Sequence, residues 1–212
     1  MSNFGFARLR VVNCYDVAFR EARSAVGAPH VLAKTEEFAS VADAVADCSL
    51  VVGTTAAEQR QIEHPLHRLD VGGAMVRARL TAERVALLFG SEKRGLSRDD
   101  FSYCHWLMRI PTREAHGSMN LGQAVAVCLY ELVRNGEAAE PLPADVEASS
   151  AALERMTEAL RDALGASGYT KRGAERITEE KARRLLRRMH LSEEDAELWT
   201  GMLAKMGKSL RG

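Results

Sequence analysis

No stretch of this 212-residue sequence approaches the roughly 20 consecutive apolar residues that a membrane-spanning helix requires. Its start carries no basic patch followed by a secretion-type apolar core, so a cytoplasmic location is the expectation. Cysteine is scarce: Cys14, Cys48, Cys104 and Cys128 lie far apart among apolar residues. None forms the closely spaced pair that announces a metal site, and buried reduced thiols are expected instead. The six histidines are equally dispersed; His64 and His67 stand three apart without a second ligand pair, so no structural metal is expected. Net charge is absent too, 29 basic side chains balancing 29 acidic ones, which argues against a wholesale nucleic-acid coat protein. What remains, 46% hydrophobic and 27% charged residues, is ordinary for a soluble globular chain.

The balanced total hides an asymmetry. Residues 1–150 carry 16 basic and 19 acidic side chains, and residues 151–212 carry 13 and 10. The excess concentrates in "KARRLLRR" (181–188), which on a helix places Arg183, Arg184, Arg187 and Arg188 over two adjacent turns. Such a segment reads either as a solvated helix face or as a contact for polyanions.

Along the chain, strands are expected at 7–13, 49–56, 85–90 and 105–111, and helices at 16–26, 40–48 and 120–136. Ser97 is placed to cap a short helix through "RDDFSYC", with Asp99 and Asp100 in its first turn. Alternating strands and helices predict an α/β fold with a mostly parallel sheet. "EAAEPLPADVEASS" (137–150) has the composition of a linker. Beyond it, the stripe Leu153, Met156, Leu160, Leu164 and the Ser192–Asp195 cap signal predict two or three helices. These are too small to hold a large core and are expected to pack on the main domain or on a partner subunit.

Three of the strands end in candidate ligand loops, at 53–56, 90–96 and 110–119. Ligands in open α/β sheets collect at the carboxyl ends of strands, so the loops are expected to converge. "GSEKRG" (90–95) is followed by Leu96, not by the lysine and hydroxyl of a triphosphate cradle. It also lacks the middle glycine of a dinucleotide fingerprint. Its glycines suit simple turns as well, but Glu92 between them, at the end of a buried strand, suits a carboxylate positioned by the fold. In "IPTREAHGSMNLGQAVAV", Ser118 and Asn120 arrive at the start of a helix, whose N–H groups attract an electron-rich ligand. The same two residues also suit plain helix capping.

"LLFGSEKRGLS" (87–97) and "IPTREAHGSMNLGQAVAVCLYEL" (110–132) resemble the second and third motifs of the SpoU/TrmH branch of the SPOUT methyltransferases, and "SLVVGTTA" (49–56) resembles the loop preceding them. The resemblance spans about residues 3–135, with the loops in the family's order. It implies a fold of the SPOUT type: an α/β domain with a C-terminal trefoil knot over 1–136, a linker at 137–150, and a helical extension over 151–212. It also implies S-adenosyl-L-methionine as cofactor, a homodimer whose interface completes each site, and methyl transfer to a ribose 2′-hydroxyl of RNA, in first place tRNA. By matching position, Thr54, Thr55, Ala56, Gly90, Ile110, Gly117, Ser118 and Met119 would contact the cofactor, and Glu92, Ser118 and Asn120 would stand near the reacting groups. Arg183, Arg184, Arg187 and Arg188 would then contact RNA, and neutralising them would weaken tRNA binding and flatten its salt dependence.

The sequence departs from the family in one place. The family's first motif, Asn-x-Gly-x-x-x-Arg after an initial strand, has no counterpart here, since the chain starts at Met1-Ser2-Asn3. In the family that arginine is assigned to activating the ribose hydroxyl, and Arg8 and Arg10 do not match it by position. An upstream segment encoding strand–Asn-x-Gly-x-x-x-Arg–helix is the expectation. The alternative is a non-catalytic RNA-binding or regulatory protein that retains the cofactor pocket.

Overall fold

The computed structural model describes residues 1–12, 29–56, 62–113, 117, 119–134 and 147–211. Strands β1 (Arg10–Val12) and β2 (Glu36–Phe38) form a parallel pair of their own. β3 (Leu50–Thr54), β4 (Leu66–Arg68), β5 (Val85–Leu88) and β6 (Trp106–Arg109) make a four-stranded sheet in the order β4-β6-β3-β5, parallel throughout. Helices α1 (Pro29–Ala33), α2 (Val41–Val45), α3 (Leu69–Arg79), α4 (Arg98–Ser102) and α5 (Leu121–Val133) complete the α/β part. The helix expected over 16–26 and most of the expected linker lie outside the described residues.

Period two explains the layering. Leu50 and Val52 of β3, with Trp106 and Met108 of β6, face α3 and α5 and pack against Leu69, Val76, Cys128, Leu129 and Leu132. Their neighbours Val51 and Leu107 point the other way, onto Val45, Cys48, Leu96 and Phe101 beside α2 and α4. Both sheet faces are therefore covered, which is why "LVV" and "WLM" read as unbroken apolar runs. His105, just ahead of β6, extends the ladder: its N–H donates to Val51 O at 2.8 Å, and its Nδ1 accepts from Val51 N at 3.1 Å.

The C-terminal part of the described chain carries three helices, α6 (Ser150–Ala166), α7 (Glu175–Arg187) and α8 (Glu193–Ser209). Ser149 caps α6 by accepting from Ala152 N, and Ser192 caps α8 by accepting from Asp195 N. Leu153 and Ala152 meet Ala196, and Met156 meets Leu186 and Leu203, a small core of the expected kind. The helices dock on the α/β part: Ser150 N donates to Cys48 O at 2.8 Å and Ala151 N to Ala46 O at 3.0 Å. None of the described helices is long and apolar enough to cross a membrane.

Candidate functional site

Because β3, β5 and β6 are parallel neighbours, the loops that follow them leave the same edge of the sheet. Two hydrogen bonds tie those loops together where they begin. Thr54 Oγ1 donates to Leu88 O at 2.9 Å, and Thr55 N donates to Met108 O at 3.1 Å. Between them lies a cavity of about 560 Å³, within the ~300–1,000 Å³ typical of small-molecule sites.

The second loop owes its shape to its glycines. It folds back so that Gly95 N donates to Ser91 O at 2.8 Å. A Cβ on Gly90 would lie 2.0 Å from the Gly95 carbonyl carbon and 2.2 Å from Leu96 N, so only a hydrogen fits there. Gly95 sits at φ 65°, in the left-handed region that glycine enters without strain. Leu96 is then buried, and Ser97 opens α4 with a reciprocal cap. Ser97 Oγ accepts from Asp100 N at 3.1 Å, while Ser97 N donates to Asp100 Oδ2 at 2.7 Å. α4 brings Phe101 into the cavity wall.

The structure gathers the residues expected at a cofactor site. Thr54, Thr55 and Ala56 line the cavity from the first loop, Gly90 and Glu92 from the second, and Ile110, Gly117 and Met119 from the third. Ser118 lies outside the described residues. Glu92 is exposed at the cavity, flanked by Lys93 and Arg94. Asn120 is not among the lining residues: it is exposed, and its Oδ1 accepts from Gly122 N at 2.9 Å and Gln123 N at 3.4 Å as the cap of α5. Sequence reasoning passed over the apolar lining, Phe89, Leu96, Phe101 and Met108. For Met108 a signal existed, since it stands two residues before Ile110 and therefore on the same side of its strand.

These surroundings suit S-adenosylmethionine. Apolar walls and loop backbone can hold an adenine and an amino-acid end, and at Gly90 and Gly95 the lining of the second loop is main chain alone. Among the described residues no cluster of three or more His, Cys, Asp or Glu is placed to hold a metal ion.

The four tail arginines do not form one exposed face. Arg183 and Arg187 are only 3% and 1% exposed, and both point into the molecule. Arg183 donates to Glu154 at 2.8 Å and to Glu179 at 2.6 Å. Arg187 donates to the Tyr103 carbonyl at 3.0 Å and reaches Glu154 at 3.5 Å. Burial pushes the Arg187 guanidinium down to about 10, opposed by Glu154, so it stays charged at neutral pH. On Arg183 burial is the largest influence and lowers the pKa, but Glu154, Tyr103 and Glu179 together outweigh it, and the pKa is raised. Arg184 is largely covered and pairs with Glu63, leaving Arg188 exposed. Of the expected RNA-contacting set, Arg183 and Arg187 thus lie buried with their donors on internal groups, and Arg188 stands exposed.

The profile of the SpoU rRNA methylase family matches residues 1–130, the part of the chain that builds the cavity. The tRNA (cytidine/uridine-2′-O-)-methyltransferase TrmJ of Sodalis glossinidius is 29% identical, over 97% of this chain and 83% of that protein. The TrmJ of Yersinia pestis (strain Pestoides F) is 31% identical, over 98% of this chain and 84% of its own length. Among solved structures, TrmJ from Z. mobilis ZM4 superposes with a TM-score of 0.83 at 28% identity, covering 97% of this chain and 89% of that one. With the motif loops gathered at one cavity and relatives matched over nearly the whole length, the chain belongs to the SpoU rRNA methylase family.

Proposed function

We propose that this protein transfers a methyl group from S-adenosyl-L-methionine to a ribose 2′-hydroxyl of tRNA. The observation that carries the reading is the convergence of three loops on one backbone-rich, apolar cavity in a chain whose relatives are tRNA 2′-O-methyltransferases. Thr54, Thr55, Ala56, Gly90, Ile110, Gly117 and Met119 would hold the cofactor, with Ser118 beside them in sequence. When bound, the cofactor supplies an electrophilic methyl group on a sulfonium. A ribose hydroxyl is a poor nucleophile at neutral pH, so the protein must orient it and help its proton leave. Glu92, the carboxylate at the cavity, is the described residue proposed to act there.

The finer architecture belongs to the same proposal: a trefoil knot formed by the loops, a methyltransferase domain over 1–136, and a helical extension over 151–212. A homodimer in the cytoplasm is the proposed working form. It is supported by the apolar side chains that the adjacent helices α3 and α5 leave exposed, Val71 and Met75 on one, Val127 and Tyr130 on the other. RNA contact from the tail is proposed at Arg188, with Arg184 beside it.

Incubation with unmodified tRNA and cofactor labelled in its methyl group tests the reading. Label should enter ribose 2′-oxygens, Glu92→Gln should slow its transfer, and sedimentation should return a dimer mass. Cofactor binding with no label in RNA would instead favour the non-catalytic alternative, and a monomer mass would remove the dimer.

A further inference from the structure

The buried arginines of α7 grip the wall of the cavity from behind. Arg183 Nη1 donates to Ser102 Oγ at 3.0 Å, and its guanidinium stacks over the Tyr103 ring with 4.3 Å to the centroid. Arg187 lies 5.4 Å from the same ring centroid, and its Nε donates to the Tyr103 carbonyl. Ser102 is the last residue of α4 and Tyr103 its C-cap. Glu154 on α6 opposes both guanidinium groups and ties the clamp to a third helix.

A five-residue helix is too short to hold itself, so α4 depends on what grips its ends. The Ser97–Asp100 cap secures the first end, directly after the glycine loop. The arginines secure the second, one residue beyond Phe101, which lines the cavity. Arg184 extends the contact to Glu63, in the segment that follows the first loop. Two charges are thus kept in the interior where apolar side chains would pack at lower desolvation cost, and each commits one donor to the end of α4.

We propose that Arg183 and Arg187 are positioning residues for the cofactor cavity, holding α4, and with it Phe101 and Leu96, in the place that cofactor binding requires. The helical tail then sets affinity for the small molecule as well as offering a surface to RNA. The inference rests on the methyltransferase reading, because it needs the cavity to be the S-adenosylmethionine site.

The test is titration calorimetry of the full chain with S-adenosylmethionine, and separately with tRNA alone, for wild type, Arg187→Met and Ser102→Ala. Both variants should weaken cofactor binding by about fivefold or more while tRNA affinity moves by less than about twofold. Arg187→Lys should recover little, since an ammonium cannot reproduce the guanidinium fork. If Arg187→Met does not fold, Ser102→Ala decides, because it leaves the Arg183–Glu154 pair in place. Cofactor affinity within about twofold of wild type in the folded variants overturns the proposal, as does an equal loss for both ligands. A wild type that binds no S-adenosylmethionine overturns the methyltransferase reading instead.

Discussion

At Gly90 one hydrogen atom decides whether the second loop can close. The atoms a methyl group would strike are backbone, at 2.0 and 2.2 Å, and cannot swing aside as a flexible side chain would. Gly90→Ala should therefore reshape the cavity and weaken S-adenosylmethionine binding about tenfold or more, with far-UV circular dichroism unchanged. Unaltered affinity in a calorimetric titration would mean that the loop's shape does not matter to the ligand. This glycine was legible because it stands at the end of an apolar run with a second glycine five residues on. Arg187 was not. Its spacing on α7 is that of any charged helix face, and nothing local says that the face turns inward. The groups that accept its donors, Tyr103 and Glu154, lie 84 and 33 residues away in the chain.

Elements with a cap or an unbroken apolar run could be read, and those without could not. α4, α5 and α8 each follow a residue whose oxygen accepts from the first turn, at Ser97, Asn120 and Ser192. Asn120→Ala removes two such acceptances from α5 and should lower stability by about 1 kcal/mol, read as a shift of the urea midpoint at unchanged slope. No shift would mean that solvent satisfies those N–H groups equally well. By contrast β2 and β4 are three residues each, "EEF" and "LHR", too short to show alternation. For α3, "LDVGGAMVRAR" gives no helix expectation, and its two glycines each cost a helix about 1 kcal/mol relative to alanine. Both glycines serve packing: a Cβ on Gly72 would come 2.9 Å from Met108 Sδ, and one on Gly73 2.8 Å from Glu131 Cγ.

For the whole molecule, two covered histidines link folding to pH. His105 is buried and pushed down to about 3, chiefly by burial, and His64 to about 4, by burial and then by Arg184. Both stay neutral in the fold, whereas in the unfolded chain they take up a proton near pH 6.5. Their contribution is therefore complete above about pH 6.5 and declines as pH falls toward the folded values. From about pH 8 to about pH 5, His105 alone should cost about 2 kcal/mol of unfolding free energy. Asp47, held far below the usual carboxylate range by its hydrogen bond to Arg10, adds its own loss only at lower pH. Urea midpoints measured across that range should fall, and fall less steeply in His105→Asn. An equal slope in the variant would assign the loss to other groups.

The parallel α/β class, the three strands that carry the loops and the loop residues that meet at the cavity were already written in the sequence. Each rests on a short-range signal: periodicity, a cap, a glycine or an apolar run beside a loop. Tertiary structure decided which charges are inside. It joined α7 to α4 across about 80 residues of chain, and so turned half of a basic stripe into a brace for the cavity. Burial of a charge depends on partners brought by distant elements, and local pattern carries no record of them.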